Sequence, residues 1–276
     1  MKYIMLIIII GKNGFVSKSI HSYFCDSGVK SFLVRADPNE LVNVLKNSTE
    51  VPLIIFSQGP KREHFNEMQF MNSLDFELLN VLRNFQFNSL LISSLDVYDF
   101  GFDPPWKESS YLTSNKSYGA YKVNQEKLLS EASGSYVILR APTIWGGEYD
   151  ISSFIFMLCR QAILSKQITI PVTENVRSIL HIKYLSSFIY KFATNMIFPT
   201  ENVYNICDTA IISVKEIADI VSKFTNCEIN YGEITSNRPN NLTIDNSRMI
   251  SEFGDISPID IHEGIFQMIN RIKTES

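Results

Sequence analysis

Tyr118 and Lys122 stand four apart in a stretch that reads as a helix, and Ser94 precedes them at the end of an apolar run. Residues four apart on a helix share a face, so the Lys122 ammonium can stand near the Tyr118 phenol and favour the phenolate electrostatically. Tyr118 then becomes an acid/base for proton transfer near neutral pH. A Ser94 hydroxyl brought alongside would hydrogen-bond the oxygen whose proton Tyr118 gives or takes. A Tyr-x-x-x-Lys pair also arises by chance in a chain with this much Tyr and Lys, so the surrounding elements decide its weight.

The run Tyr3 to Ile10 reads as a buried parallel strand, for which continuous Ile and Leu is expected. Gly11-Lys12-Asn13-Gly14-Phe15-Val16-Ser17 follows, then an amphipathic helix over Lys18 to Phe24. Strand, glycine turn and helix aim backbone N–H groups and a positive helix end at a phosphate, with Gly11 making the turn and Gly14 admitting a pyrophosphate. A second strand, Val29 to Val34, ends at Arg35, where an NAD-selective site places an acid. Arg35 and Lys12 together suit a 2′-phosphate, so the expected cofactor is NADP; Asp37, able to take a ribose hydroxyl, keeps NAD as the alternative.

A helix over Pro38 to Asn47 leads to the strand Pro52 to Gly59, whose small and polar end, Ser57-Gln58-Gly59, lets a cofactor pass over the sheet edge. Phe70 to Phe85 is helical by its Leu spacing. Ser89 to Ser94 is a buried strand ending at Ser94, at the carboxyl edge where open α/β sheets bind ligands. Tyr136 to Arg140 is the next strand. Beyond Thr143 the alternation weakens, before a short strand at Val203 to Ile206 and helices over Ser213 to Phe224 and Ile259 to Ile272. The expected fold is α/β: a Rossmann-type doubly wound parallel sheet over residues 1–142 with a return segment near 183–208, and a smaller C-terminal substrate-binding lobe from 143–182 and 209–276.

A chain of 276 residues with 45% hydrophobic and 20% charged content buries a sizeable core. Its net charge of −4 offers no general attraction to nucleic acid. Cys25, Cys159, Cys207 and Cys227 show no C-x-x-C spacing and read as buried free thiols of a reducing compartment. The four histidines do not cluster with acids, so no metal is expected. The N-terminal apolar run is too short to span a membrane and lacks a cleavage pattern, which points to the cytoplasm.

The joint occurrence of these pieces resembles the extended short-chain dehydrogenase/reductase family, in particular its nucleotide-sugar epimerases, dehydratases and reductases. Gly11-x-x-Gly14-Phe15-Val16-Ser17 resembles the family's G-x-x-G-F-[IV]-G; Ser93-Ser94-Leu95-Asp96-Val97-Tyr98 its S-[ST]-x-x-V-Y-G; Tyr118-Gly119-Ala120-Tyr121-Lys122 its Y-G-x-x-K. By this resemblance Ser94, Tyr118 and Lys122 form the catalytic triad, Lys122 also holding the nicotinamide ribose, and Asn72 is the family's Asn after Met71. Val176-Arg177-Ser178-Ile179-Leu180-His181 resembles V-R-D-[YF]-I-H, and Arg238-Pro239-Asn240-Asn241 resembles R-P-G-D. The resemblance makes Arg177 and Arg238 a clamp on the diphosphate of a nucleotide-diphosphate sugar, which guanidinium geometry fits, and it implies a homodimer through the helices around Met71 to Phe85 and Ser117 to Ser130.

Departures bear on the substrate. Ser17 replaces the third glycine, Thr143 stands where many relatives have a substrate-contacting Asn, and one βα step between Arg35 and Pro52 is missing. A 4,6-dehydratase usually carries Asp-Glu after its catalytic hydroxyl; here the pair is Leu95-Asp96, with Asp96 left as a substrate-side acid or a turn cap. Reduction of a nucleotide-linked 4-keto-6-deoxyhexose is therefore the expected reaction, with NAD-dependent 4-epimerisation as the alternative. A dinucleotide-sensing protein of this family typically loses the Tyr or the Lys, and both are present.

Overall fold

The computed structural model describes residues 6–59, 74–114, 118–194, 197, 199–233, 239–254 and 259–275. Its first half alternates: β1 (Ile7–Ile10), α1 (Phe15–Asp26), β2 (Ser31–Val34), α2 (Pro38–Lys46), β3 (Leu53–Phe56), α3 (Leu74–Leu82), β4 (Asn88–Ser94), a 3₁₀ turn (Leu95–Val97), α4 (Tyr118–Ala132) and β5 (Ser135–Ala141). With β9 (Val203–Asn205) these strands form one parallel sheet in the order β2-β1-β3-β4-β5-β9. The chain runs outward from β1 to β2 and returns on the other side of β1, so the order reverses between β1 and β3 and opens a ligand crevice at their carboxyl ends. β2 lies at one edge of this sheet and β9 at the other, and a single helix leads from β2 to β3, as the short spacing after Arg35 implied.

The two-residue period of a strand sorts the apolar run of β1 onto both faces. Ile7 and Ile9 join Ile20 and Phe24 of α1 and Leu185 and Phe188 from further on; Ile8 and Ile10 join Leu41, Leu78, Leu82 and Leu129 of α2, α3 and α4. Sequestering both faces is what the unbroken Ile run requires. Asp37 starts α2 by accepting the N–H groups of Asn39 and Glu40 at 2.8 and 3.0 Å, with Pro38 in the first turn.

Beyond Thr143 regular structure does not thin out; its strands lack the unbroken Ile and Leu runs of β1 and β3. β6 (Thr143–Trp145), α5 (Phe154–Ser165), β7 (Gln167–Pro171), β8 (Val176–His181), α6 (Ile182–Ala193), β10 (Ile211–Ser213), α7 (Val214–Thr225), β11 (Glu228–Gly232), β12 (Asn241–Leu242), α8 (Ser247–Phe253) and α9 (Ile261–Glu275) follow, β9 lying between α6 and β10. β10, β8, β12 and β6 make a second sheet and β11 pairs with β7, while α5, α7 and α9 close a separate core around Ile155, Ile217 and Ile269. Helix α6 packs instead beside α1 on the parallel sheet. Cys25 corrects the expectation of four buried thiols: it lies exposed in the last turn of α1, whereas Cys159, Cys207 and Cys227 are buried. No helix among the described residues is long and apolar enough to cross a membrane.

Candidate active site

Ser94 ends β4 and begins the 3₁₀ turn. Its hydroxyl accepts the Asp96 N–H at 3.2 Å and donates to Asp96 Oδ2 at 3.0 Å. Helix α4 comes down onto this turn so closely that a Cβ on Gly119 would lie 1.8 Å from the Asp96 carbonyl oxygen. A residue without a side chain is therefore a condition of placing the first turn of α4 beside Ser94. Tyr118, half-buried, opens that turn, its ring 6.3 Å from the Tyr121 ring.

Lys122 follows one turn later and is 3% exposed. Its ammonium donates to the carbonyls of Gln58 (3.2 Å) and Ile92 (3.3 Å) and to Gln125 Oε1 (2.8 Å). An ammonium has three N–H groups, and these acceptors come from the loop just after β3, from β4 and from α4, so Lys122 ties together the elements that border the crevice. Gln125 in turn donates to the Tyr121 hydroxyl at 3.0 Å. The sequence reading missed Gln125; its signal was a polar residue three after Lys122 and four after Tyr121, on the same helical face.

Behind α4, Glu126 takes two hydrogen bonds from Arg140, at 3.1 and 2.7 Å, and one from Ser93. Arg140 also reaches the Glu108 carbonyl and the Tyr98 hydroxyl. Burial, tempered by the Arg140 charge, pushes the Tyr98 phenol up to about 12, so Tyr98 remains a neutral donor to Asn205. This buried, bidentate pair locks β5 to α4 and so fixes the helix that carries Tyr118 and Lys122.

At the crevice floor Gly11 has φ +121°, a conformation open to glycine, and a Cβ there would approach Ser57 Oγ at 3.1 Å. The N–H groups of Gly11 and Lys12 are committed to the Val34 carbonyl, and Gly14 caps α1 without a side-chain hydrogen bond. The first-turn N–H groups, those of Phe15 and Val16 among them, are thus the donors left for a phosphate; Asn13 is exposed in the same loop. Ser17, 1% exposed, lies within hydrogen-bond reach of the Gly11 and Gly14 carbonyls, so it closes the loop while fitting where a glycine was expected. Ser57 Oγ donates to the Ile10 carbonyl, and Gly59 lies against the Lys122 ammonium.

Arg35 is exposed beyond β2, and its N–H donates to Glu40 Oε2 at 3.3 Å, while Glu40 Oε1 lies 4.0 Å from Lys12 Nζ. The corner predicted to hold two cations therefore also holds a carboxylate. Thr143 and Arg177 lie on the adjoining strands β6 and β8 of the second sheet, the Arg177 guanidinium 4.9 Å above the Phe154 ring. His181 caps α6, accepting the Lys183 N–H at 3.2 Å; burial, aided by the Lys183 charge, pulls its pKa down to about 4, so it is a neutral structural imidazole. Asn72 and Arg238 lie outside the described residues.

No protein-family model matches the sequence, nor does any curated protein. Solved structures match over nearly the whole chain. The NAD-dependent NDP-hexosamine 5,6-dehydratase TunA of tunicamycin biosynthesis is 17% identical, with 98% of each chain covered and a TM-score of 0.84. The UDP-glucose 4-epimerase of Thermotoga maritima, solved with UDP-glucose, is 13% identical over 98% of this chain and 99% of that one, at a TM-score of 0.83. The dTDP-4-dehydrorhamnose reductase of Bacillus anthracis, solved with NADP, is 16% identical over 96% and 99%, at a TM-score of 0.78.

Proposed function

From a chain that carries the extended short-chain dehydrogenase/reductase fold, we propose nicotinamide-dependent oxidoreduction at a hydroxyl- or keto-bearing carbon of a nucleotide-linked sugar. One observation carries this reading: Gly119 lets α4 settle on the turn that begins at Ser94, with Lys122 buried behind it and bonded to β4 and to the loop after β3. Bound nicotinamide would supply or take the hydride. Tyr118 moves the matching proton on the substrate oxygen, Lys122 holds the ribose and favours the phenolate, and Ser94 hydrogen-bonds that oxygen. The uncapped start of α1 and the glycine at position 11 fit the cofactor's pyrophosphate. Arg177, with Arg238, would clamp the nucleotide diphosphate from the lobe of residues 143–182 and 209–276, and Thr143 would contact the substrate from the same lobe.

The finer reading is reduction of a nucleotide-linked 4-keto-6-deoxyhexose with NADPH, supported by Arg35 and Lys12 at the ribose corner. A second reading, 4-epimerisation with retained NAD, is favoured by Glu40 in that corner. Pairing of two copies through α3 and α4 accompanies either. The deciding experiment follows nicotinamide absorbance with NADPH or NADH and a panel of nucleotide 4-keto-6-deoxysugars. Steady oxidation, faster with NADPH, supports the reductase; interconversion of sugar isomers without net oxidation supports the epimerase. Tyr118→Phe should lower either rate at least ~100-fold, and an unchanged rate would sink the assignment.

A further inference from the structure

Lys122 is a buried cation, and a buried ammonium keeps its proton only as far as acceptors support it, because desolvation disfavours the charged form. Gln58, Ile92 and Gln125 do not support it equally. The Gln58 and Ile92 carbonyls lie at 3.2 and 3.3 Å, the long end for N–H···O bonds, whereas Gln125 Oε1 lies at 2.8 Å, the length of a charge-assisted one. Three residues after Lys122, Gln125 shares its helical face, and it is buried with it. An ammonium only donates, so the amide must turn its oxygen to Lys122 and its NH2 group away. That NH2 group donates to the buried Tyr121 hydroxyl at 3.0 Å, which fixes the amide at its other end.

We infer that Gln125 is a positioning residue that keeps Lys122 charged: it holds the ammonium with a neutral oxygen, supporting the positive charge without cancelling it. The inference rests on the reading in which Lys122 holds the cofactor ribose and favours the Tyr118 phenolate, and deepens it by naming a group on which that charge depends. A methylene chain in place of the amide would remove the shortest of the three bonds and leave the proton easier to lose. A carboxylate there would hold the proton more firmly, but its own charge would offset the pull of Lys122 on the phenol one turn back. Among the described residues, the titratable and charged groups on the elements around Lys122 are Tyr118, Tyr121 and Glu126 on α4, Asp96 in the 3₁₀ turn, Arg140 on β5 and the exposed Glu77 on α3. Glu126 and Arg140 are paired with each other. All six are common to the wild-type protein and any Gln125 variant, so a difference between the two reports Gln125.

Lysine labelled at Cε reads the Lys122 proton by nuclear magnetic resonance, the Lys122 signal being the one absent from Lys122→Met. Gln125→Met keeps the length of the side chain and removes the acceptor; Gln125→Glu keeps the acceptor and adds a charge. The proton should be lost at least about one pH unit lower in Gln125→Met than in the wild-type protein, and no lower than wild type in Gln125→Glu. A contact that serves packing alone changes the melting temperature and leaves this midpoint where it was. A neutral amine binds the ribose hydroxyls more weakly than an ammonium, so the alkaline fall in NADH affinity, read by nicotinamide fluorescence, should also begin at lower pH in Gln125→Met and be lost in Lys122→Met. Equal midpoints in the wild-type protein and Gln125→Met, or an ammonium that persists beyond about pH 11 in both, overturns the inference. Failure of the nicotinamide reading looks different, because NADH then does not bind the wild-type protein at any pH, while the Lys122 midpoint still follows Gln125.

Discussion

Under the proposed nicotinamide-dependent reading, Glu40 is the residue on which the choice between NADP and NAD would turn. A 2′-phosphate beside Arg35 and Lys12 gains from two cations but meets a carboxylate that already accepts the Arg35 N–H and lies 4.0 Å from Lys12. A ribose hydroxyl, by contrast, can donate to that carboxylate. The Lys12 and Glu40 side chains are 48% and 35% exposed, so their pairing adds little stability, and Glu40→Gln should fold normally. Removing one unit charge this close to the surface should raise the NADPH over NADH preference by roughly threefold to tenfold, measured as the ratio of dissociation constants from nicotinamide fluorescence. An unchanged ratio would mean that the adenosine ribose binds elsewhere. Glu40 was not legible in the sequence because its approach to Arg35 depends on how Asp37 starts α2, whereas Arg35 and Lys12 follow directly from strand and turn. The places of Ser94, Tyr118 and Lys122 in the fold were legible for a related reason: each sits at a strand end or on one helical face, where local spacing dictates position. The Ser94 to Asp96 bond was not, since two residues of separation says nothing about which way a hydroxyl points.

At the scale of elements, the proposed reaction depends on the contact between α4 and the 3₁₀ turn after β4. Ala is the better helix former by about 1 kcal/mol, so a helix considered alone would gain from Gly119→Ala. In the fold the new Cβ would meet the Asp96 carbonyl oxygen at 1.8 Å and Thr113 Cγ2 at 2.9 Å. Backbone cannot yield as a side chain can, so α4 must shift, with an overpacking penalty of about 1–3 kcal/mol. Tyr118 moves with the helix relative to Ser94, and a displacement near 1 Å commonly lowers a rate by ~100-fold. Gly119→Ala should therefore lose turnover far more than stability, as read from kcat beside a thermal melt. Full turnover in this variant would show that α4 does not bear on that turn. The strands and helices before Thr143 were readable because Ile and Leu runs and Leu spacing are long enough to carry a period. The lobe was not, because its strands carry no such runs, β6 and β10 are only three residues long, and their pairing with β8 appears only once the chain has folded.

Across the whole molecule the parallel sheet and the second sheet meet where the loop after β9 crosses the end of β8. Asp208 donates its N–H to the Ile179 carbonyl at 2.8 Å, and its carboxyl accepts the His181 N–H at 3.2 Å. Both residues are buried, and 27 positions apart they gave no sequence signal. Burial, moderated by that hydrogen bond, raises the Asp208 carboxyl to about 7, while burial and Lys183 lower His181 to about 4. The linkage signs are opposite. Between about pH 4 and pH 7 the unfolded chain has lost the Asp208 proton and the folded chain keeps it, so this group's stability declines as pH rises. From about pH 6.5 down to pH 4 the unfolded chain takes up a His181 proton that the folded chain refuses, so this contribution declines as pH falls. The two nearly cancel over the range they share, leaving a flat profile from a joint built of neutral groups. Asp208→Asn keeps an acceptor for His181 and removes only the first dependence. The variant should gain on the wild-type protein by a few kcal/mol between pH 5 and pH 8, measured as the change in their stability difference by chemical denaturation at each pH. All other titrating groups are common to both proteins and drop out of that difference. A gap that stays the same at the two pH values would mean that Asp208 ionises at the junction as an ordinary carboxylate, and that the sheets meet around a charge.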